Sequence, residues 1–258
     1  MTFCLGMKCA EGLLALADTR ITSGTETSVA KKISVHQYPS HSMFILTSGL
    51  RSARDKAITY FDARLAEDET NIDRMYKAAN LLAQEIRRAR DEDQEWLRAG
   101  GLFWDLHLIF GGQLENDTEH HLYLIYPEGN WIEVGEGTPY VIIGESRYGK
   151  PLLDRVWRYE RSLADALRDG LLSFDATRTS ASDVDYPIDV VLYRRDSYEM
   201  VEQRFSEADL APVAEFWMGA IRESVRGASE VVAPLFARLE RAESQPPPDT
   251  RSARRVAP

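Results

Sequence analysis

The sequence predicts an α+β fold of four layers, an αββα sandwich in which two stacked antiparallel sheets lie between layers of helices. Three observations predict this fold. Strand-like segments are separated by tight-turn signals, helical segments occur in pairs, and the two kinds of segment alternate along the chain. The predicted order is strands, two helices, strands, two helices, strands and a final helix.

The first fifty residues are predicted to form strands that pair as two hairpins. Their apolar and β-branched residues favour extended backbone, and Gly12 and Pro39 lie in the connections. The predicted strands are Phe3–Lys8, Leu13–Arg20, Val29–Val35 and Ser42–Gly49.

After Ser52 the apolar residues recur with helical spacing, as at Ala57, Phe61 and Leu65. This spacing predicts two successive amphipathic helices, over 52–67 and 71–90. The later predictions are strands over 102–112, 121–134 and 139–145, helices over 149–160 and 162–174, a hairpin over 188–205, and a helix over 209–242 with Pro212 in its first turn.

Length and composition predict a single domain over 1–242. The chain has 258 residues with 44% hydrophobic content, enough to form a large core. Residues 243–258 are rich in proline and arginine, and we expect them to be a disordered tail.

Charge and composition disfavour several classes of protein. A formal charge of -10 argues against nucleic acid as a partner. The sequence has neither a signal peptide nor a long apolar run, so we expect a cytoplasmic protein without a membrane partner. Cys4 and Cys9 are five residues apart in a predicted strand and the turn after it, where alternation would point them to opposite faces, which disfavours a disulfide. The histidines lack metal-ligand spacing, and we expect neither a metal nor a cofactor.

Thr2 is the first residue in the sequence that suggests a catalytic role. Removal of Met1 would give this residue both a hydroxyl and a free α-amine, a nucleophile beside a candidate base. Thr2 alone is weak evidence, because threonine also favours strands. Asp18 alone could be a turn former, and Lys32 could belong to a solvated pair at a strand edge.

The order and spacing of Thr2, Asp18, Gly24, Lys32 and Gly49 change this interpretation. With the strand pairs and the segment "SGLRSARD", they make the chain resemble proteasome-type N-terminal-nucleophile hydrolases. The resemblance is greatest to the bacterial ancestral β-subunit, or Anbu, and extends to about residue 240. It implies the fold of that class and a threonine peptidase.

The resemblance also implies a role for each site residue. Thr2 would attack the carbonyl group, and its α-amine, with a pKa of about 7.7 to 8, would accept the hydroxyl proton. Lys32 would lower the pKa of the hydroxyl, Asp18 would orient Lys32, and the backbone N–H of Gly49 would bind the oxyanion. Lys31 and Lys32 are expected to face opposite sides of one strand, so only one of them can reach Thr2. The resemblance implies that it is Lys32, which directly precedes Ile33 as the catalytic lysine of the family precedes an isoleucine.

Substrate contacts follow from the same resemblance. It places Arg20, Thr22 and Gly24 along an extended peptide, which would add as a strand. Thr47 and Arg51 would border the pocket for the residue before the cleaved bond, where Arg51 would favour acidic or polar side chains.

Two supporting positions depart from the family pattern. Where the family has Gly-Ser-Gly, this chain has Gly144-Glu145-Ser146, so the supporting serine is either Ser146, shifted by one residue, or replaced by Glu145. The second support is Asp175, and Arg178 stands where the family has a serine. The residues that could substitute for that serine are Thr177, Thr179 and Ser180.

Two functions remain open from the sequence. The first is a threonine hydrolase that cleaves peptide or isopeptide bonds through an acyl-enzyme on Thr2. The second is a catalytically silent subunit of the same fold that acts as a scaffold. In both cases the resemblance implies self-association into a ring or an open helical ring.

Overall fold

The structure is a computed structural model that describes residues 2–23, 26–67 and 72–243. The strands are β1 (Phe3–Cys9), β2 (Gly12–Asp18), β3 (Arg20–Ser23), β4 (Glu26–Val29), β5 (Ile33–Tyr38), β6 (His41–Gly49), β7 (Leu106–Leu114), β8 (His121–Ile125), β9 (Trp131–Glu133), β10 (Tyr140–Gly144), β11 (Ile188–Arg194) and β12 (Met200–Phe205). The helices are α1 (Arg51–Glu67), α2 (Met75–Ala99), α3 (Lys150–Val156), α4 (Leu163–Ser180), α5 (Glu207–Gly227) and α6 (Ser229–Glu243).

Two five-stranded antiparallel sheets form the centre of the fold. One has the strand order β10-β1-β2-β11-β12, the other has the order β5-β6-β7-β8-β9, and β3 and β4 form a separate ribbon. The sheets stack face to face, with β1 and β10 against β6 and β7. Buried side chains such as Leu13, Phe44 and Ile109 fill the space between them.

Helices cover the outer face of each sheet. The α1–α2 pair packs on β6, β7 and β8, where Phe61 meets Phe110 edge to face with ring centroids 6.1 Å apart. On the other sheet α4 packs against β1 and β2, and Phe3 lies 6.2 Å from Phe174. The predicted four-layer αββα sandwich is confirmed.

Residues 1–211 form one compact unit, which contains the sandwich. Residues 212–258 form a second unit, described as far as Glu243, with the rest of α5 and all of α6. The single domain over 1–242 and the disordered tail stay predictions, and residues 244–258 lie outside the described part of the chain. No helix within the described residues is long and apolar enough to cross a membrane.

The strand predicted over Val29–Val35 is wrong at its centre. Strand β4 ends at Val29 and β5 begins at Ile33, because the chain leaves the ribbon with β3 there and joins the sheet beside β6. Lys31 and Lys32 therefore lie in a connection, and the expectation that one strand turns them to opposite sides is wrong.

The position of Pro212 also differs from the prediction. Helix α5 begins at Glu207, because Ser206 and Asp209 cap it: the Ser206 N–H donates to Asp209 Oδ2 at 2.7 Å, and Asp209 N–H donates to Ser206 Oγ at 3.4 Å. Pro212 thus lies in the second turn and not in the first. The predicted final helix is two helices, α5 and α6.

Candidate active site

Thr2 is held ahead of β1 by the two strands that flank β1. Its carbonyl oxygen accepts a hydrogen bond from the Glu145 N–H at 2.7 Å. The next amide, Phe3 N–H, donates to Asp18 Oδ1 at 2.8 Å. Because Asp18 ends β2 and Glu145 follows β10, Thr2 is fixed from both sides.

A glycine makes this close approach possible. Gly144 pairs with Phe3 across the β1–β10 ladder and has a positive φ of 84°. A Cβ atom at this position would lie 2.0 Å from the Thr2 carbonyl oxygen. Any larger residue would push the backbone of Thr2 away and strain its own backbone.

Asp18 and Lys32 form a buried ion pair beneath Thr2. Lys32 Nζ donates to Asp18 Oδ1 at 2.8 Å and to the Arg20 carbonyl oxygen at 2.7 Å. The two side chains are 0% and 4% exposed, respectively. Burial raises the pKa of Asp18, while the charge of Lys32 opposes that shift. An ammonium has three N–H donors, so these two bonds leave one donor.

The neighbouring lysine has a different environment. Lys31 Nζ lies 2.5 Å from Glu202 Oε2, and its side chain is 49% exposed. The two lysines thus point to different partners even though they lie in a connection and not in a strand. Only Lys32 is paired with Asp18.

A buried thiol lies below the pair. Cys4 Sγ donates to the Thr47 carbonyl oxygen at 3.5 Å, and burial raises the pKa of this thiol. Cys4 is therefore a neutral part of the core and not a second nucleophile. Cys4 and Cys9 are both free, in agreement with the prediction of no disulfide.

Thr2 and Lys32 open into a pocket of about 610 Å³. Six of the predicted site residues line it: Thr2, Arg20, Lys32, Thr47, Gly49 and Arg51. Asp18 lies behind Lys32 and contacts the pocket through it. The site predicted from widely separated sequence positions is thus largely assembled in one cavity.

Gly49 ends β6 at the pocket with a positive φ of 125°. A Cβ atom there would lie 2.2 Å from the Asp105 carbonyl oxygen, which also accepts the Leu50 N–H at 2.8 Å. Glycine is therefore required for the turn into α1, whatever further role its N–H has.

The predicted substrate strand corresponds to β3. Arg20 begins it, and Thr22 pairs with Thr27 of β4. Arg20 Nη1 donates to Asp185 Oδ2 at 2.9 Å, which holds its side chain at the pocket wall. Gly24 lies outside the described residues.

The first departure from the family pattern places a buried carboxylate near Thr2. Glu145 is 3% exposed and accepts bonds from Arg147 N–H at 3.1 Å and from Arg147 Nε at 2.9 Å. These bonds hold the pKa of Glu145 below its usual value. Ser146 is partly buried, and its carbonyl oxygen accepts the Lys150 N–H at 3.0 Å.

The second departure lies on α4. Asp175 is buried and accepts a bond from Arg178 Nη2 at 3.1 Å, and the Arg178 guanidinium stacks 5.0 Å from the Tyr186 ring centroid. Thr179 Oγ1 donates to the Asp175 carbonyl within the helix. Thr177 Oγ1 likewise donates to a helix carbonyl, that of Ser173. Neither Ser146 nor Asp175 is among the residues that line the described pocket.

Sequence reasoning assigned no role in the pocket to eight of its lining residues, namely Ile21, Ser48, Leu50, Arg54, Phe103, Asp105, Leu106 and Gly144. Arg54 could have been found, because it lies three residues after Arg51 and so shares one helix face with it. Phe103 and Asp105 lie in the strand predicted over 102–112, but β7 begins only at Leu106, so both residues belong to the connection that precedes it. Across residues 2–23, 26–67 and 72–243 no group of three or more His, Cys, Asp or Glu residues could hold a metal ion.

Comparison with known proteins agrees with this fold and site. Residues 2–190 match the family described as proteasome subunit. The chain therefore belongs to the proteasome subunit family and has the layered fold of N-terminal-nucleophile hydrolases. No curated protein matches it.

Within that family the chain is similar to Anbu proteins of known structure. An Anbu Gly-1 mutant from Hyphomicrobium sp. strain MC1 is 33% identical, with a TM-score of 0.81 over 88% of this chain and 97% of that one. Anbu from Yersinia bercovieri is 29% identical, with a TM-score of 0.79 over 87% and 97%. A helical assembly of the Anbu complex from Pseudomonas aeruginosa is 29% identical, with a TM-score of 0.82 over 87% and 95%.

Proposed function

We propose that this chain is a threonine hydrolase that cleaves peptide or isopeptide bonds through an acyl-enzyme on Thr2 after removal of Met1. One observation carries the proposal. The buried Lys32–Asp18 pair opens into the pocket that Thr2 lines, and Lys32 has one N–H donor left. A structural ion pair would not need to face a cavity.

Activation of Thr2 would use two groups. The free α-amine accepts the proton of the Thr2 hydroxyl as Oγ attacks the substrate carbonyl carbon. The remaining N–H of Lys32 stabilises the developing alkoxide, while Asp18 orients Lys32 through their 2.8 Å hydrogen bond. The positive charge that stabilises the alkoxide is thus carried by Lys32, which the fold holds in place through Asp18.

Completion of the reaction transfers the same proton. The tetrahedral oxyanion is stabilised by the Gly49 N–H, and the protonated α-amine gives its proton to the leaving nitrogen as the C–N bond breaks. An ester on Thr2 Oγ remains. Water then attacks that ester, the amine accepts a proton from the water and returns it to Oγ, and the acid leaves.

Substrate would bind as an added strand on β3. A two-stranded ribbon leaves each of its strands one edge, and Arg20 at the start of β3 lines the pocket. The backbone of Thr22 and Gly24 would then pair with the peptide, while Thr47 and Arg51 border the side chain before the cleaved bond.

A silent scaffold subunit is the second candidate, and one observation favours it. Arg178 and Glu145 stand where the family has supporting serines, and both are engaged in ion pairs. A subunit that had lost catalysis could retain Lys32 and Asp18 as a structural pair.

We also propose that the chain assembles with copies of itself, as its relative from Pseudomonas aeruginosa does in a helical assembly. Light scattering at micromolar concentration should give a mass well above the 29.3 kDa of one chain. A mass of one chain would contradict this proposal. The cytoplasm remains the proposed compartment, and the two free thiols fit reducing conditions.

The decisive experiment is intact-protein mass spectrometry before and after incubation with a threonine-directed β-lactone or epoxyketone. We expect loss of Met1 and a single adduct on Thr2. The Thr2→Ala variant should give no adduct, and Thr19→Ala is the matched control, because Thr19 Oγ1 is bound to the Pro187 carbonyl away from the pocket. Retained Met1 without an adduct would favour the scaffold.

A further inference from the structure

Two arginines from the first turn of α1 stand in the pocket wall beside Thr2. They differ in burial, because the Arg51 side chain is 64% exposed and that of Arg54 is only 15% exposed. Arg51 therefore faces solvent, while Arg54 is the more desolvated of the two cations. Arg54 lies between this pocket and an adjacent cavity of about 290 Å³ that Lys31 and Asp55 also line.

The two guanidinium groups share one carboxylate. Arg51 Nε lies 3.5 Å from Asp55 Oδ2, and Arg54 Nε lies 2.8 Å from Asp55 Oδ1. One negative charge compensates two positive charges, so this wall has a charge of about +1. Asp55 is 53% exposed, and solvent further weakens the compensation.

Arg54 is held in place and still has donors to offer. Its Nε and Nη2 contact Asp55, and its Nη1 donates to the Lys31 carbonyl oxygen at 3.4 Å. A guanidinium has five N–H groups, so about two remain for a ligand. A fixed, partly desolvated guanidinium with free donors is suited to a carboxylate.

The acidic side chain in the lining, Asp105, does not oppose this charge directly. It is 59% exposed, and its Oδ1 lies 3.2 Å from His107 Nδ1. The other cations of the lining have their own carboxylates, Asp185 for Arg20 and Asp18 for Lys32. Arg51 and Arg54 are therefore the two cations of the lining that share a single carboxylate partner.

We infer that the pocket selects an acidic side chain, aspartate or glutamate, at the position before the cleaved bond, and that Arg54 determines this preference. The inference rests on the proposed function for the meaning of that position. It assigns the main role to Arg54 and only a rim contribution to Arg51.

Binding can be measured without turnover. In the Thr2→Ala background, isothermal titration would compare peptides that differ only in having Glu, Gln or Lys at the position before the scissile bond. A charge-assisted pair should favour Glu over Gln by about 10- to 100-fold. Arg54→Gln should remove most of this ratio, Arg51→Gln less of it, and Arg226→Gln, an exposed arginine on α5, none.

Two further measurements guard against a folding defect and separate the two proposals. Arg54→Lys keeps the positive charge but lacks the paired N–H donors of a guanidinium, so it should retain part of the preference for the Glu peptide over the Gln peptide. Thermal unfolding would show that each variant is folded. Cleavage of the same peptides by the unmodified protein should show the same order in kcat/KM. A Glu preference in binding without any cleavage would refute the hydrolase and keep this inference.

Several results would overturn the inference. These are equal binding of the Glu and Gln peptides, preference for Lys, absence of measurable binding of the Glu peptide at millimolar concentration, or a Glu preference that survives Arg54→Gln in a folded protein.

Discussion

The two sides of Thr2 are built in different ways. On one side Asp18 and Lys32 come from a strand end and a connection, and each is the buried charge partner of the other. Their side chains are at most 4% exposed, so the pair is isolated from solvent and from salt.

On the other side each buried carboxylate pairs with an arginine that reaches solvent. Glu145 is held by Arg147, whose side chain is 70% exposed, and Asp175 by Arg178, which is 25% exposed. These pairs are local, between residues two and three positions apart. The comparison shows one pair that is fully withdrawn from solvent and lines the pocket through Lys32, and two pairs that join a buried carboxylate to a more exposed arginine outside the pocket lining.

The largest effect on the reactivity of Thr2 should come from replacing Lys32, with its neighbour Lys31 as the control. We expect Lys32→Met to slow adduct formation on Thr2 by about 10³-fold, because a positioned proton-transfer or charge-stabilising group typically contributes 10²- to 10⁴-fold. Lys31→Met is the matched control and should stay within about twofold, since Lys31 only pairs with Glu202 at the surface. Equal losses in both variants would contradict the specific role proposed for Lys32.

We also expect the stability of the Lys32→Met variant to depend on pH. Burial already holds the folded-state pKa of Asp18 above its unfolded value, and loss of Lys32 removes the charge that opposes this shift. The folded form then binds the proton more tightly, so its stability is greatest at low pH and falls as pH rises through that pKa.

We therefore expect Lys32→Met to cost about 3 kcal/mol in the free energy of unfolding at pH 8. Between pH 8 and pH 5 the cost should shrink, by at most about 1.4 kcal/mol for each pH unit. Urea unfolding of both proteins across this range measures the difference. A pH-independent cost would mean that Asp18 does not take up the proton.

Arg178→Ala tests the other side through stability. The substitution leaves the buried carboxylate of Asp175 without its ion partner and removes the stacking on Tyr186. Because Arg178 is partly exposed, we expect a loss of about 1 to 2 kcal/mol in the free energy of unfolding. Arg226→Ala, which removes a fully exposed pair with Glu223, should cost less than about 0.5 kcal/mol in the same urea experiment.

The smallest effect distinguishes Glu145 from Ser146. Glu145→Gln keeps the backbone bond to Thr2 but loses the ionic bonds from Arg147, and we expect adduct formation to slow by about three- to tenfold. Ser146→Ala should change it by less than about twofold. The reverse order in the adduct assay would identify Ser146 as the shifted supporting serine.

The sequence could predict the fold because it rests on strong local patterns, whereas the Lys32 side was inferred from a family resemblance between widely separated residues. Helical spacing and turn signals defined the layers, and the order of Thr2, Asp18, Lys32 and Gly49 matched a known family. The break before β5 could not be predicted, since "VAKKISV" alternates like one strand. Only the transfer of the chain from one sheet to another decides where it ends.

The pocket wall could be predicted only in part, for a different physical reason. Arg51 and Arg54 are alike in sequence, and their burial depends on how the first turn of α1 meets the connection at Lys31. The structural roles of Arg147 and Arg178 likewise depend on the buried carboxylates with which they pair. Such pairing depends on tertiary distance, which no local pattern contains.

The position of β1 between two partner strands has a consequence for insertions and deletions. A residue at the start of a strand normally frays, yet both polar groups of the Thr2–Phe3 peptide are bound, the Thr2 carbonyl oxygen by the Glu145 N–H after β10 and the Phe3 N–H by Asp18 at the end of β2. A slip of one residue in that ladder would turn the Thr2 side chain to the opposite face of the sheet. The pairing of β1 with β10 and β2 thus sets the position of Thr2, and a one-residue insertion or deletion in β1 would remove Thr2 from the pocket that it shares with Lys32.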